Sequence, residues 1–285
     1  MIRHLLACSL LAACLGTGSD TAAQNKKPLF PEKPGLVSYT YRHSFQKDVA
    51  ATLDTIRAFG ITDMEFSNLF GRKAADIRAA LDARGMRCSS YGTNYADLME
   101  KTAEIAGIAK ELGAKYIRVA WIPHNGPFTL ALADKTVEDF NRVGKVLREQ
   151  YGLTFCYHNH GYEFEPHGEG TLFDYLVQKT RPEDVSFEMD ILWTFFPGHD
   201  PAKLLDKYGR RFQLMHLKDL RKGVKGNLSG GTPVENDVAL GTGQLDLPAI
   251  LKAARKAGVK HYYIEDESPN IQTQVPQSIA YLKSL

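Results

Sequence analysis

Residues 153–164 read LTFCYHNHGYEF. Phe155 and Tyr157 alternate with Thr154, Cys156 and His158, the period-two pattern of a β-strand. The strand runs into a dense polar group: His158, Asn159, His160 and, one short turn later, Glu163. Period two places His158 and His160 on the same face. Two imidazoles at a strand end with a carboxylate close behind can bind a metal or move protons. The plainer reading is a polar strand end with two solvated histidines, and the rest of the chain has to decide between them.

Strand and helix signals alternate on both sides of this stretch. Before it come strands at 36–42, 63–67, 87–91 and 116–121, with helices at 48–59, 74–84, 96–112 (one long helix) and 136–151. After it come a helix at 172–179, a strand at 185–191, a short helix at 201–208 and a strand at 212–218. A helix at 247–257, a strand at 262–267 and a last helix at 275–285 complete the chain. Alternating units imply a parallel sheet with right-handed crossovers, and eight of them in about 250 residues fit an α/β (β/α)8 TIM barrel forming a single domain over 36–285. No glycine-rich phosphate fingerprint follows the first strand, which disfavours a dinucleotide fold.

In such a barrel, chemistry sits at the C-terminal strand ends. Here four consecutive strands end in a pair of ionisable residues on one face: His158 and His160, Glu188 and Asp190, His216 and Lys218, Glu265 and Glu267. The opposite face of the sixth strand is Val185, Phe187, Met189 and Ile191, suited to packing under helices, so the ionisable face is the barrel interior. Unpaired buried carboxylates are costly, which makes a cation their natural neutraliser. Carboxylates with imidazoles suit Mn²⁺, Zn²⁺, Co²⁺ or Fe²⁺ better than Ca²⁺. A purely structural salt-bridge network is the alternative.

Among the 285 residues, Lys+Arg (35) nearly cancels Asp+Glu (33), for a net charge of +2. With no basic run, neither nucleic acid nor a membrane surface is indicated as a partner. Residues 1–23 read as a signal peptide: Arg3 and His4 precede an apolar stretch, 5–15, too short to span a bilayer. Either Leu11-Ala12-Ala13-Cys14 is a lipobox and Cys14 is lipidated, or cleavage follows Thr21-Ala22-Ala23. Both export the protein, to the periplasm or to a lipid anchor in the outer membrane of a bacterium. Residues 24–35, with three prolines, read as a tether. Cys88 and Cys156 lie in strands apart in sequence and read as buried thiols rather than a disulfide.

The element order, with the motifs YHNHGYEF, EMDILW, MHLKD, LGTGQLD and YYIEDE, resembles the sugar phosphate isomerase/epimerase family of the xylose-isomerase-like TIM barrel superfamily. The resemblance runs from residue 36 to the end. It implies one divalent metal, with Asp190, His216 and Glu265 as three of its ligands. Where many members read Glu-Asn-His, this chain reads His158-Asn159-His160. The first ligand is then either Glu163 reaching back from the turn, preferred because a carboxylate keeps the charge of the site, or His158.

A metal spanning a carbonyl and an adjacent hydroxyl acidifies the C–H between them and stabilises the enediolate. His160 is the first candidate base; Glu265 is the second, acting as a ligand as well. Lys218 either donates to a substrate oxygen or pairs with Glu188. Glu65, His124 with Asn125, Glu188, Glu267, Trp193 with Phe195 and Phe196, and His158 if it is not a ligand, are candidate substrate contacts. His167 and His199 read as ordinary loop histidines. The glycine-rich loop 220–243 fits a lid or a contact in a homo-oligomer. Export and the lack of an Arg/Lys cluster point to an unphosphorylated sugar or keto-sugar, isomerised or epimerised. The same chemistry would let the barrel act as a lyase on a 3-keto-glycoside. A non-catalytic sugar-binding barrel is the reading from another class; a nuclease related to apurinic endonucleases is disfavoured by the near-neutral charge and the leader.

Overall fold

Alternation along each strand turns one set of side chains to the helices and the other to the interior, and eight such strands bury both faces by closing. In the computed structural model, which describes residues 28–30 and 33–285, the barrel consists of β1 (Gly35–Val37), β2 (Asp63–Phe66), β3 (Arg87–Thr93), β4 (Tyr116–Val119), β5 (Thr154–His158), β6 (Val185–Asp190), β7 (Phe212–Leu217) and β8 (His261–Ile264). Neighbours in sequence are neighbours in the sheet, β1 pairs with β8, and all these pairs are parallel. The signal peptide reading, Cys14 and half of the proposed tether (24–27 and 31–32) lie outside the described residues.

Several elements differ from the sequence reading. The first strand stops at Val37, and residues 38–41 turn into a 3₁₀ segment followed by helix α1 (Arg42–Lys47). The Ser38 hydroxyl meets that of Ser67 (3.0 Å) as the chain leaves the sheet. The long helix expected at 96–112 is two, α2 (Tyr95–Glu100) and α3 (Thr102–Leu112), because Lys101 leaves helical geometry at ψ 35°. The helix expected at 136–151 starts at Leu130, where Thr129 caps it, and its last turn, Leu147–Tyr151, widens to a π-helix. The last helix begins at Ile271 and carries Pro276 within it.

Outward faces of the strands pack under the helices in one continuous apolar shell that includes Met64, Ile117, Phe155, Tyr157, Phe187, Met189 and Met215. The interior is layered. Its floor is a small apolar group of Val37, Cys156, Leu214 and Tyr263. Cys156 and Cys88 are both buried and unbonded. Register slips by one residue at two places, between Met64 and Glu65 and between Phe187 and Glu188. Such bulges bend a strand and re-aim its side chains, and both lie immediately before a carboxylate of the next interior layer up.

Beneath that floor, Asp63 gathers three donors. Arg87 Nη2 and His261 Nδ1 each lie 2.8 Å from Oδ2, and Ser89 Oγ donates to Oδ1 at 2.5 Å. Ser89 also meets Tyr263 Oη at 2.7 Å, which ties the network to the floor. Burial would raise the Asp63 carboxyl, but hydrogen bonds from His261, Arg87 and Ser89 outweigh it and hold it below the usual value. A depressed carboxyl stabilises the fold above its unfolded pKa of about 3.9 and loses that contribution as pH falls through its folded value. Asp63→Asn is therefore expected to lower stability by about 1–3 kcal/mol near pH 7, with the gap to wild type closing below about pH 4. Urea titrations at both pH values check this; a gap of equal size in acid would count against it.

Candidate metal centre

At the C-terminal ends of β5 to β8, four side chains converge: His158, Asp190, His216 and Glu265, whose ligand atoms all lie within 4.8 Å of one another. His158 Nε2 stands 3.2 Å from His216 Nδ1 and 3.5 Å from Asp190 Oδ2. His216 Nδ1 stands 2.8 Å from Glu265 Oε2 and 4.0 Å from Asp190 Oδ2. Ligands arranged tetrahedrally about 2.1 Å from an ion are about 3.4 Å apart, and these separations bracket that value. Asp190 is prepared for the task. One of its oxygens caps the short helix Ile191–Phe195 by accepting from Trp193 N (2.9 Å), while Oδ2 is buried without a hydrogen-bond partner. Asn159 fixes its backbone, accepting from Asp190 N (3.0 Å) and donating to Asp190 O (3.2 Å).

Below the quartet lies a second charged layer. His216 Nε2 approaches Glu65 Oε1 (2.9 Å) and Glu188 Oε2 (3.4 Å). Arg118 donates to Glu65 from Nη2 (2.7 Å) and Nε (3.0 Å) and reaches Glu188 at 3.4 Å, and Ser90 Oγ donates to Glu65 at 2.6 Å. A carboxylate behind a ligating imidazole fixes its orientation and tautomer, and Glu65 stands in that place. Burial alone would lower the His216 imidazole, but Glu188, Glu265 and Glu65 outweigh it and raise it well above the usual histidine value. The pocket thus demands positive charge at His216, and an imidazole with carboxylates on both nitrogens is a donor set that suits a divalent cation.

The quartet opens into a cavity of about 270 Å³ lined by Tyr39, Ser67, Arg118, Ala120, His158, His160, Trp193, His216, Gly230, Gly231, Thr232, Glu265 and Glu267. That is slightly under the roughly 300–1,000 Å³ of pockets for drug-sized ligands and is room for one small molecule. His160 stacks on Trp193 with ring centroids 4.8 Å apart, and its Nδ1 is buried without a partner. Burial, with His158 adding to it, pushes His160 down to about 3, so its lone pair is free near neutral pH. Lys218 is sunk beneath the cavity wall, 2.6 Å from Glu267, 3.4 Å from Asp237 and 3.8 Å from Glu265, with its ammonium over the Trp193 ring. Burial works against its charge, but Glu265, Asp237 and Glu267 outweigh it and raise Lys218 well above the usual lysine value. A second, larger cavity of about 670 Å³, lined by Phe195, Phe196, His199, Val224 and Ile250 among others, contains no member of the quartet.

Set beside the sequence reading, Asp190, His216, Glu265, His158, His160, Trp193 and Glu267 come together. Glu163 does not join the quartet. Tyr157 faces the helices, opposite to His158, and Glu163 lies on that side, accepting from Tyr157 Oη (2.9 Å) and His160 N (2.8 Å); the geometry favours His158. Glu65 and Glu188 are fully buried in the layer with Arg118 and offer a substrate nothing. The partners of Lys218 are Glu267 and Asp237 rather than Glu188. His124 stacks behind Trp121, its Nδ1 on Ile122 O (2.7 Å), away from the cavity lining, as is Asn125. Phe195 and Phe196 face the larger cavity, His199 lies against Phe164 and His167 against Tyr175. Sequence reasoning missed Arg118, the one charge in the strand YIRV, and Asp237, which the loop 220–243 brings back from far along the chain.

A sequence profile described as xylose isomerase-like TIM barrel matches residues 53–285. The chain belongs to that family. Inosose dehydratase of Geobacillus kaustophilus (strain HTA426) is 26% identical over 194 residues, covering 60% of this chain and 62% of that protein. The chain thus spans somewhat under two thirds of that relative's length. A sugar phosphate isomerase/epimerase from Parabacteroides distasonis ATCC 8503 superposes with a TM-score of 0.71 at 24% identity, covering 93% of this chain and 97% of that one. The IolI protein with a binding zinc atom gives a TM-score of 0.68 at 16% identity, over 89% and 96%.

Metal content of protein purified without chelator separates the two candidate first ligands. His216→Ala and His158→Ala are expected to lose near-stoichiometric metal and Glu163→Ala to retain it. Metal kept by His158→Ala and lost by Glu163→Ala would reverse the assignment.

Proposed function

We propose that this protein is a metal-dependent enzyme that removes a proton next to the carbonyl of an unphosphorylated keto-sugar or keto-polyol, isomerising or epimerising it. The observation that carries the reading is the quartet His158, Asp190, His216 and Glu265 beside a cavity that His160 and Trp193 also line. The bound zinc of the IolI protein, whose fold this chain shares, supports a metal here. A divalent ion held by the quartet would supply Lewis acidity, lowering the cost of the charge that develops when the C–H beside a carbonyl ionises.

The chain's own groups do the rest. His160, neutral and clamped against Trp193, is placed to take the proton; Glu265, on the rim of the same cavity, is the second group able to hold one. Lys218, fixed by Glu267 and Asp237, keeps its charge and backs the Glu267 carboxylate that faces the substrate. The Trp193 indole offers an apolar surface to the C–H side of a sugar ring. Substrates without phosphate are favoured because the one Arg or Lys among the described lining residues, Arg118, is already spent on Glu65 and Glu188.

A second reading, β-elimination, has support in curated relatives named inosose dehydratase. A 3-keto-glycoside would be a substrate of the same kind. The leader motif supports work outside the cytoplasm, a proposal that mass spectrometry of the mature N-terminus would test by finding acylated Cys14 or Gln24.

Incubation with inososes, ketohexoses and 3-keto-glycosides in D₂O tests both readings. Deuterium at the carbon beside the carbonyl, with an epimer or isomer, is expected; a dehydrated or cleaved product would select elimination. His160→Ala should lower kcat by about 10²–10⁴-fold while keeping its metal, and chelation should abolish turnover. Absence of exchange with every candidate, together with sugar affinity that chelation leaves unchanged, would make the protein a binding barrel instead.

A further inference from the structure

Glu163 is a fully buried carboxylate that the chemistry proposed above does not use. Its Oε1 accepts two hydrogen bonds, from Tyr157 Oη on the outer face of β5 (2.9 Å) and from the backbone N–H of His160 (2.8 Å). Tyr157 Oη in turn meets Tyr162 Oη (3.0 Å), which accepts from the backbone of Ile122 beyond the end of β4 (2.8 Å). Oε2 is buried and has no partner. The turn needs such a fastening. It passes through Gly161 at φ +99°, and among the described residues none hydrogen-bonds the His160 Nδ1. The ring's placement therefore depends on its backbone and on ring contacts alone: stacking on Trp193 (4.8 Å), an edge against Trp121 (5.3 Å), and more distant contacts with His158 (5.7 Å) and Tyr162 (6.4 Å).

We infer that Glu163 is a positioning residue: through its hydrogen bond to the His160 backbone it holds the His160 imidazole stacked on Trp193, facing the cavity. The catalytic consequence rests on the reading of His160 as the base; the structural consequence does not. An isolated buried carboxylate is costly, and a structural role alone would be served by an apolar side chain of similar size. What this carboxylate adds is an acceptor where two donors from different segments meet. Glutamine keeps an acceptor at Oε1 for both donors, and burial already pushes the native carboxyl up to about 7.

The test uses the full chain loaded with Zn²⁺, carrying Glu163→Met, which fills similar space without that acceptor, or Glu163→Gln, which keeps it. The first readout is the His160 Hε1 resonance in ring-labelled histidine spectra, assigned by its loss in His160→Ala and displaced by the Trp193 ring current. It should move toward the unstacked position in Glu163→Met and stay in Glu163→Gln. The second is kinetics: kcat about 10–100-fold lower for Glu163→Met, as expected for a misplaced catalytic group, with KM and metal content near wild type, and recovery to within about threefold in Glu163→Gln. An unmoved resonance in folded Glu163→Met overturns the inference, as does parallel loss of metal in both variants. If Glu163→Met does not fold, a displaced resonance in Glu163→Gln overturns it and an unmoved one supports it. A wild type without turnover defeats the proposed function, while the resonance still decides the role of Glu163.

Discussion

An excess of carboxyl groups over cationic side chains governs the top of this barrel. Glu65, Glu188, Asp190, Asp237, Glu265 and Glu267 crowd the C-terminal mouth, and the standing cations among them are Arg118, Lys218 and Arg42. Charge left uncompensated in a dry interior is expensive, so each cation has to be housed. Arg118 is the clearest case. A Cβ on Gly92 would stand 2.8 Å from its guanidinium, so the interior of β3 has to be bare there. The bulges before Glu65 and Glu188 serve the same arrangement. What is left over is a demand for positive charge centred on His216, and this is the strongest physical reason to read the quartet as a cation site.

The fold was legible because it depends on short-range periodicity. Strands buried on both faces keep a strict alternation, and glycines close several helices, Gly113 and Gly258 among them in left-handed geometry. The errors fall where alternation outlasts pairing. Residues 36–42, LVSYTYR, alternate as well as any strand, yet beyond Val37 the chain turns away to deliver Tyr39 to the mouth and Arg42 to Glu267. Nothing local separates a paired residue from one that has just left the sheet. Lys101 is similar: a helix former by composition, at a break set by how the two helices lie on the barrel.

The placement of the candidate site residues was legible for the same reason. His160, Asp190, His216 and Glu265 could be named because strand ends and alternation fix where they point. The choice between His158 and Glu163 turned on charge in the sequence reading, whereas the fold settles placement by facing. Once Tyr157 points to the helices, the residue that binds its hydroxyl lies on that side too, however well a carboxylate would have suited the quartet. Arg118 and Asp237 were invisible for a different reason. Their roles exist only through partners 53 and 19 positions away, and no local pattern records such a pairing.

The loop 220–243 shows how one connection can be rigid and still close a cavity. Its neck is an antiparallel ribbon, Asp219–Leu220 against Asp237–Val238. The Asp219 carboxylate knots this neck by accepting from the backbone of Leu220, Gly241, Gly243 and Leu245. So fixed, the ribbon presents Asp237 to Lys218 and to the backbone of Glu267 (2.9 Å), making the neck part of the charged wall. The tip has another task. Gly230, at φ +67°, lies so close to His160, Tyr162 and Trp121 that a Cβ would stand 3.0–3.3 Å from them. A tip of two glycines and a threonine brings mostly backbone over the cavity, leaving its functional side chains to come from the barrel itself, His160, Trp193, Glu265 and Glu267 among them.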